Sequence, residues 1–131
     1  MQGNLPKLAE FSGRILLAVL FLVAGVGKIA GYAGTVAYMS SQGVPGILLP
    51  LVILTEVGGA VLIVLGLWTR WAAVALAGFT LLTALLFHTH FAEQVQQIMF
   101  LKNLSITGAF LLLAANGAGP WSLDARRAAR P

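Results

Sequence analysis

The sequence predicts an all-α integral membrane protein, a four-helix up-down bundle in which every long helix crosses the bilayer. Of its 131 residues 59% are hydrophobic and 9% are charged, whereas about a quarter of the residues of soluble domains are charged. A soluble domain this small needs many polar side chains on its surface, so a soluble enzyme and a nucleic-acid-binding module are excluded. The apolar residues also fall into four stretches joined by short links. Lipid favours helices for such stretches, because a helix pairs its own backbone groups.

Each apolar stretch is long enough for a membrane-spanning helix, which needs about 20 residues. The predicted spans are about residues 11–30, 47–67, 71–88 and 98–115. Short links make neighbouring helices antiparallel. The longest link, residues 31–46, is rich in Gly, Ser and Tyr and holds no charged residue. The chain is therefore predicted to be a single domain over residues 1–131, with a basic tail over 116–131. Gly27 and Gly31 form a GxxxG pair that is expected to let helices approach closely.

The positions of Lys and Arg predict the orientation in the membrane. Two cations, Lys28 and Lys102, lie toward one side of the predicted bundle. The other side, which includes both chain ends, has the remaining six: Lys7, Arg14, Arg70, Arg126, Arg127 and Arg130. Because cytoplasmic segments are enriched in Lys and Arg, both termini are predicted to be cytoplasmic. The chain has no cysteine, which excludes disulfides and thiol chemistry by its own residues.

Glu56 lies at the middle of the second predicted span. A charged side chain at that depth costs about 2.5–3.5 kcal/mol to insert, so a cationic partner is expected. Depth favours Lys102, at the start of the fourth span, with Lys28 as the alternative. Arg14 is further away, about 21 Å from Lys28 along the first helix. The competing explanation for Glu56 is a structural ion pair that fixes the helix register.

Polar residues at helical spacing predict a polar face inside the bundle. Arg14 and Lys28 share one stripe of the first span. The candidate catalytic residues are Glu56 and Lys102, and the candidate substrate-binding cluster is Arg14, Lys28, His88 and Asn103. The competing explanation for the cations is that their long side chains extend to the lipid headgroups. No metal site is predicted, because His88 and His90 are two residues apart and would point in different directions on a helix.

Three segments of the chain resemble the DoxX family of small bacterial membrane proteins. The segments are RILLAVLFLVAGVGKIAG around Arg14 and Lys28, LTEVGGAVLIVLGLWTRWAA around Glu56 and Arg70, and FLKNLSITGAFLLLAANGAGPWSLD around Lys102 and Asn103. In this order and spacing they cover about residues 8–124. The resemblance implies a four-helix bundle in the bacterial inner membrane and a label of oxidoreductase. Relatives are associated with quinone-linked oxidation of sulfur compounds, or with membrane complexes that handle oxidative stress.

The resemblance implies a redox-linked membrane subunit that binds a quinone, with no other cofactor evident in the chain. Glu56 with Lys102 or Lys28 would bind a quinone oxygen or move its proton, and Asn103 and His88 would assist. The expected partners are the lipid bilayer and either further copies of the chain or a partner oxidoreductase subunit. The alternative is a non-enzymatic protein, either a small-solute transporter or an assembly subunit that anchors a partner oxidoreductase. Whether the chain is itself an enzyme stays open at this point.

Overall fold

The computed structural model describes residues 3–129, and its regular structure over that range is helical. In chain order the helices are α1 (Leu5–Ala30), α2 (Tyr32–Ser41), α3 (Gly46–Leu65), α4 (Thr69–Phe87), α5 (Gln94–Asn116) and α6 (Leu123–Ala128). Four of them, α1, α3, α4 and α5, are long and apolar enough to cross a membrane. The predicted fold class, an all-α membrane bundle with four spans, is confirmed. Arg130, which entered the charge count above, lies outside the described residues.

The link between the first two spans contains a helix that the sequence analysis did not predict. Residues 32–41 of this glycine-rich link form α2, which begins directly after Gly31. α1 starts with Pro6 in its first turn, where a missing N–H costs no hydrogen bond. α3 ends at Gly66, whose positive φ of 66° gives the left-handed conformation that commonly terminates helices.

The spans pack in sequence order, α1 on α3, α3 on α4 and α4 on α5. α1 and α5 meet through the edge-to-face rings of Phe21 and Phe110, whose centroids are 5.3 Å apart. The core between the helices is built from small and apolar side chains: Ala18, Phe21, Ala60, Ile63, Ala72, Ala73, Leu76, Ala77 and Phe110. The many exposed leucine and valine side chains on the outside suit a surface that contacts lipid.

α1 and α3 come into close contact at Gly25. A Cβ atom at this position would lie 2.5 Å from Val57 Cγ2 and 3.3 Å from Glu56 Cβ. Only a residue without a side chain lets the two backbones approach this closely. The GxxxG pair does not have this role, because a Cβ atom at Gly27 would meet open space.

Arg14 ties α1 to the end of α3 and to the segment that follows α5. Its side chain is buried, with 3% of its residue surface exposed. The guanidinium donates hydrogen bonds to four backbone carbonyl oxygens: Ile63 at 2.7 Å, Val64 at 3.2 Å, Ala118 at 2.7 Å and Trp121 at 3.0 Å. Two of these carbonyls belong to the last turn of α3, where helices lack intrahelical donors.

Asp124 closes the same end of the bundle. Its carboxylate accepts hydrogen bonds from the backbone N–H of Trp68 at 2.7 Å and of Thr69 at 2.9 Å, at the start of α4. Burial by itself would raise the pKa of Asp124. The hydrogen bonds from Thr69 and Trp68 and the charge of Arg127 outweigh burial, and they hold the pKa below its ordinary value.

We expect Arg14→Gln to lower the free energy of unfolding by about 3 kcal/mol or more, because charge-assisted hydrogen bonds to four carbonyls are lost. The measurement is denaturant unfolding in detergent micelles, followed by circular dichroism. Lys7→Gln removes the same charge from an exposed position of α1 and is the control. Equal losses in both variants would contradict the role of Arg14 as a clamp.

The lowered pKa of Asp124 predicts a pH dependence of stability. Its contribution is complete above the unfolded aspartate pKa of about 3.9 and is lost as the pH falls through the lower folded-state value. We expect wild type to lose more stability than Asp124→Asn between about pH 5 and pH 2, as measured by the melting temperature. Glu93→Gln, an exposed carboxylate beyond α4, should behave as wild type. Parallel curves for wild type and the Asp124 variant would refute the prediction.

Candidate functional site

A cavity of about 470 Å³ lies among the spans at the end of the bundle opposite Arg14 and Asp124. Helices α1 to α5 all contribute to its wall, and α2 adds Thr35, Tyr38 and Met39. Its volume is in the range of about 300–1,000 Å³ that is typical of small-molecule sites. The wall is mostly apolar, and its polar side chains are Lys28, Thr35, Tyr38, Thr55, Glu56, Thr80, Thr83, His88 and Asn103.

Glu56 and Lys28 form an ion pair in the wall of this cavity. Lys28 Nζ lies 2.8 Å from Glu56 Oε1, and Glu56 is 4% exposed. This separation is typical of a charge-assisted contact between an ammonium and a carboxylate. The pair joins α1 to α3 directly beside the close contact at Gly25.

The predicted contact between Glu56 and Lys102 is wrong, and the alternative partner, Lys28, is the one found. Lys102 is exposed and does not line the cavity. The reason is the order of the helices around the bundle. α5 packs on α4 and lies diagonally across from α3, whereas α1 is the direct neighbour of α3 and presents Lys28 on its buried stripe.

Glu56 lies in a π-helical turn of α3, Leu54–Gly58. A π turn holds one more residue than an α turn, and such turns are frequent at functional sites. The turn places Glu56 against α1 while its neighbour Thr55 also lines the cavity. Sequence reasoning placed Glu56 at the right depth but did not find the turn, since no residue type specifies a π turn by itself.

Asn103 connects α4 and α5 at the cavity wall. Its Nδ2 lies 3.4 Å from the carbonyl oxygen of Thr80 and 3.3 Å from Thr83 Oγ1. His88 follows the end of α4, and its Nδ1 is 3.1 Å from Gln96 Oε1 of α5. Both side chains therefore line the cavity, each held by a contact between α5 and the end or wall of α4.

Arg14 is not part of this cluster, which corrects the prediction that grouped it with Lys28, His88 and Asn103. It shares a helical stripe with Lys28 but lies near the other end of α1, about 21 Å away, where it binds backbone carbonyls. The sequence also gave no sign of the contribution of α2. Tyr38 stacks on Phe87 with ring centroids 5.6 Å apart, so α2 covers one end of the cavity.

The cavity reaches the lipid-facing surface of the bundle. Leu51 of α3 and Leu82 of α4 line it and are also 60% and 53% exposed. Leu86, one turn after Leu82, is likewise both a lining residue and exposed. The cavity therefore borders the lipid-facing surface of α3 and α4. Within residues 3–129, no group of three or more His, Asp or Glu side chains could hold a metal ion.

We expect Lys28→Met to cost about 3–5 kcal/mol of stability, because it leaves a buried carboxylate without its partner. The double variant with Glu56→Gln should recover most of that loss. The measurement is a double-mutant cycle on unfolding in detergent, and Lys102→Met is the matched control, with an expected change within about 0.5 kcal/mol. If Lys28→Met cost no more than Lys102→Met, the ion pair would not stabilise the bundle.

Comparison with known proteins places the chain among bacterial membrane proteins. The DoxX family model matches residues 9–89. The chain is 60% identical over 121 residues to "Inner membrane protein YqjF" of Escherichia coli (strain K12), which covers 92% of this chain and 93% of the relative. It is 44% identical over 120 residues to "Inner membrane protein YphA" of the same strain, with 86% of each chain covered.

A more distant relative is "Putative oxidoreductase CatD" of Bacillus subtilis (strain 168), which is 33% identical over 73 residues, 56% of this chain and 54% of the relative. No solved structure matches the chain. The family match spans more than half of the sequence, and the two E. coli relatives, named as inner membrane proteins, align over nearly the whole chain. The chain is a multi-pass inner membrane protein and belongs to the DoxX family.

Proposed function

We propose that the chain is a redox-linked membrane subunit that binds a quinone in the cavity around Glu56 and Lys28. The main support is the cavity itself, which is apolar, open toward lipid and provided with one buried ion pair. A quinone is an apolar ring that carries two oxygen atoms and reaches its sites from within the bilayer. The oxidoreductase name of the B. subtilis relative supports the same redox class.

In this proposal the ion pair contacts the quinone oxygen and the apolar wall holds the ring. The ammonium of Lys28 has three N–H donors, so it can serve Glu56 and a quinone oxygen together. Glu56 accepts or holds a proton next to that oxygen, in a low-dielectric site where such interactions are strengthened. Phe79, Tyr38 and Phe87 provide aromatic surface in the wall.

Reduction of a quinone takes two electrons and two protons, and the electrons would come from a partner oxidoreductase. The chain would supply binding, orientation and proton exchange. Asn103 and His88 would contribute further polar contacts at the wall. The exposed Lys102 has no place in this site, and its long side chain would extend to the lipid headgroups.

The alternative function is an assembly subunit that anchors a partner oxidoreductase, or a second copy of the chain, in the membrane. The low burial of α5 supports this alternative. In the apolar stretch of α5 that could span the membrane 6% of the residues are buried, against 22% to 33% in the other three spans. The outer face of α5 is thus available to a neighbouring protein. A binding subunit and an anchor can coincide, because the quinone site and the outer face of α5 are separate parts of the chain.

We also propose that both termini are cytoplasmic. Within the described range Lys7, Arg14, Arg70, Arg126 and Arg127 all lie at the end of the bundle that carries the termini. An excess of basic residues marks the cytoplasmic side. The cavity, at the opposite end, would then lie in the outer half of the membrane.

The test is mass spectrometry of what co-purifies with the chain from native membranes in mild detergent. We expect about one quinone per wild-type chain, because the cavity volume admits a single ring. Quinone should be lost in Glu56→Gln and retained in Lys102→Gln, which removes a charge of the opposite sign outside the cavity. Absence of quinone from wild type, with a protein partner found reproducibly, would overturn the quinone site and favour the anchoring function. Equal amounts in all three samples would also overturn it.

A further inference from the structure

We infer that the cavity binds the reduced, hydroxyl-bearing form of its ligand, a hydroquinone, more tightly than the oxidised quinone. The inference rests on the proposed function, since it assigns a redox-state preference to the same site. Its basis is the balance of hydrogen-bond donors and acceptors that the cavity wall leaves uncommitted.

The threonine hydroxyls of the wall have already used their donor hydrogens. All four donate to backbone carbonyl oxygens of their own helices: Thr35 to Gly31 at 2.9 Å, Thr55 to Leu51 at 2.8 Å, Thr80 to Leu76 at 2.7 Å and Thr83 to Thr80 at 2.9 Å. A hydroxyl has one hydrogen to donate and two lone pairs. These side chains can therefore only accept hydrogen bonds from a ligand.

Glu56 adds further acceptor capacity. An ionised carboxylate accepts hydrogen bonds and donates none. Its Oε1 is 2.8 Å from Lys28 Nζ, but a carboxylate has about four lone-pair sites. A ligand hydroxyl that points at Glu56 can donate to a site that Lys28 leaves free. A quinone carbonyl in the same place would bring its oxygen against the Glu56 carboxylate, and neither group has a hydrogen to donate.

Beyond the threonines and Glu56, four side chains of the wall can donate, and two of them are engaged. The amide of Asn103 is directed at the Thr80 carbonyl and the Thr83 hydroxyl, and His88 Nδ1 faces Gln96. Lys28 keeps N–H groups beyond the one that faces Glu56, and these can serve one oxygen of either redox form. The hydroxyl of Tyr38, which also lines the cavity, can donate to a quinone oxygen or accept from a hydroquinone hydroxyl. Lys28 and Tyr38 therefore contribute to binding without distinguishing the two forms.

A hydroquinone presents two O–H donors to this acceptor-rich wall, whereas a quinone presents acceptors alone. A site built to accept from a hydroxyl discriminates strongly against an analogue that lacks it, because its buried polar groups are then left unpaired. The equilibrium constant for reduction of the bound quinone would thus exceed that of the free quinone, by a factor equal to the ratio of the two affinities.

The experiment measures dissociation constants for one short-tailed benzoquinone and for its hydroquinone. Purified full-length protein in detergent is titrated under anaerobic conditions, with the dimethyl ether of the hydroquinone as a probe of equal shape that has no donor. We expect the hydroquinone to bind at least about tenfold more tightly than the quinone. The dimethyl ether should bind no better than the quinone.

Two variants probe the acceptors directly. Glu56→Gln gives the site a donor, and Thr83→Val removes one acceptor from the wall, so each should lower the affinity ratio. Thr107→Val is the matched control, because Thr107 makes the same kind of bond to its own helix, to the Asn103 carbonyl at 2.8 Å, but does not line the cavity. Thr83→Val keeps the test decisive if Glu56→Gln fails to fold.

The outcomes separate the inference from the function on which it rests. Equal affinities, or tighter binding of the quinone, would overturn the redox-state preference and leave the quinone site in place. A preference that survives Thr83→Val and Glu56→Gln unchanged would also overturn it, because its source would lie elsewhere. If neither redox form bound, the proposed function would fail and the inference with it.

Discussion

The ion pair between Lys28 and Glu56 is the interaction on which the cavity end of the bundle depends. A carboxylate in the middle of a membrane span is too costly to leave alone, so α3 must pack against a helix that offers a cation at the same depth. α1 does so, and the two charges come within 2.8 Å. The contact also requires close backbones, which Gly25 allows, and it coincides with a π turn in α3.

The buried polar side chains have different roles at the two ends of the bundle. At the end that carries the termini, Arg14 and Asp124 join α1, α3, α4 and the last segment through charge-assisted hydrogen bonds to backbone groups. Helix ends expose such groups in lipid or at its surface, where they need partners. With that end tied together, the helices can separate at the other end and leave room for the cavity.

The sequence was sufficient to predict the spans and the depth of each polar residue, because both follow from position along the chain. It was not sufficient to predict which helices are neighbours. Lys28 and Lys102 have similar depths, and only the diagonal placement of α3 and α5 decides between them. The grouping of Arg14 with Lys28 was wrong for the opposite reason, because the two residues share a helical stripe but lie at different depths. The role of α2 depends on tertiary contacts such as Tyr38 on Phe87, which no local pattern encodes.

The surroundings of Glu56 argue for a functional role beyond that of a structural ion pair. A pair that served only to fix the helix register would be most stable when closely packed on all sides, because voids in a core cost free energy in proportion to their size. Here the pair borders a cavity of about 470 Å³. Such a void reduces stability, and it is what a site that receives a polar group of a ligand requires. At the other end, the buried Arg14 directs its hydrogen bonds at four carbonyl oxygens, as expected where stability alone is served.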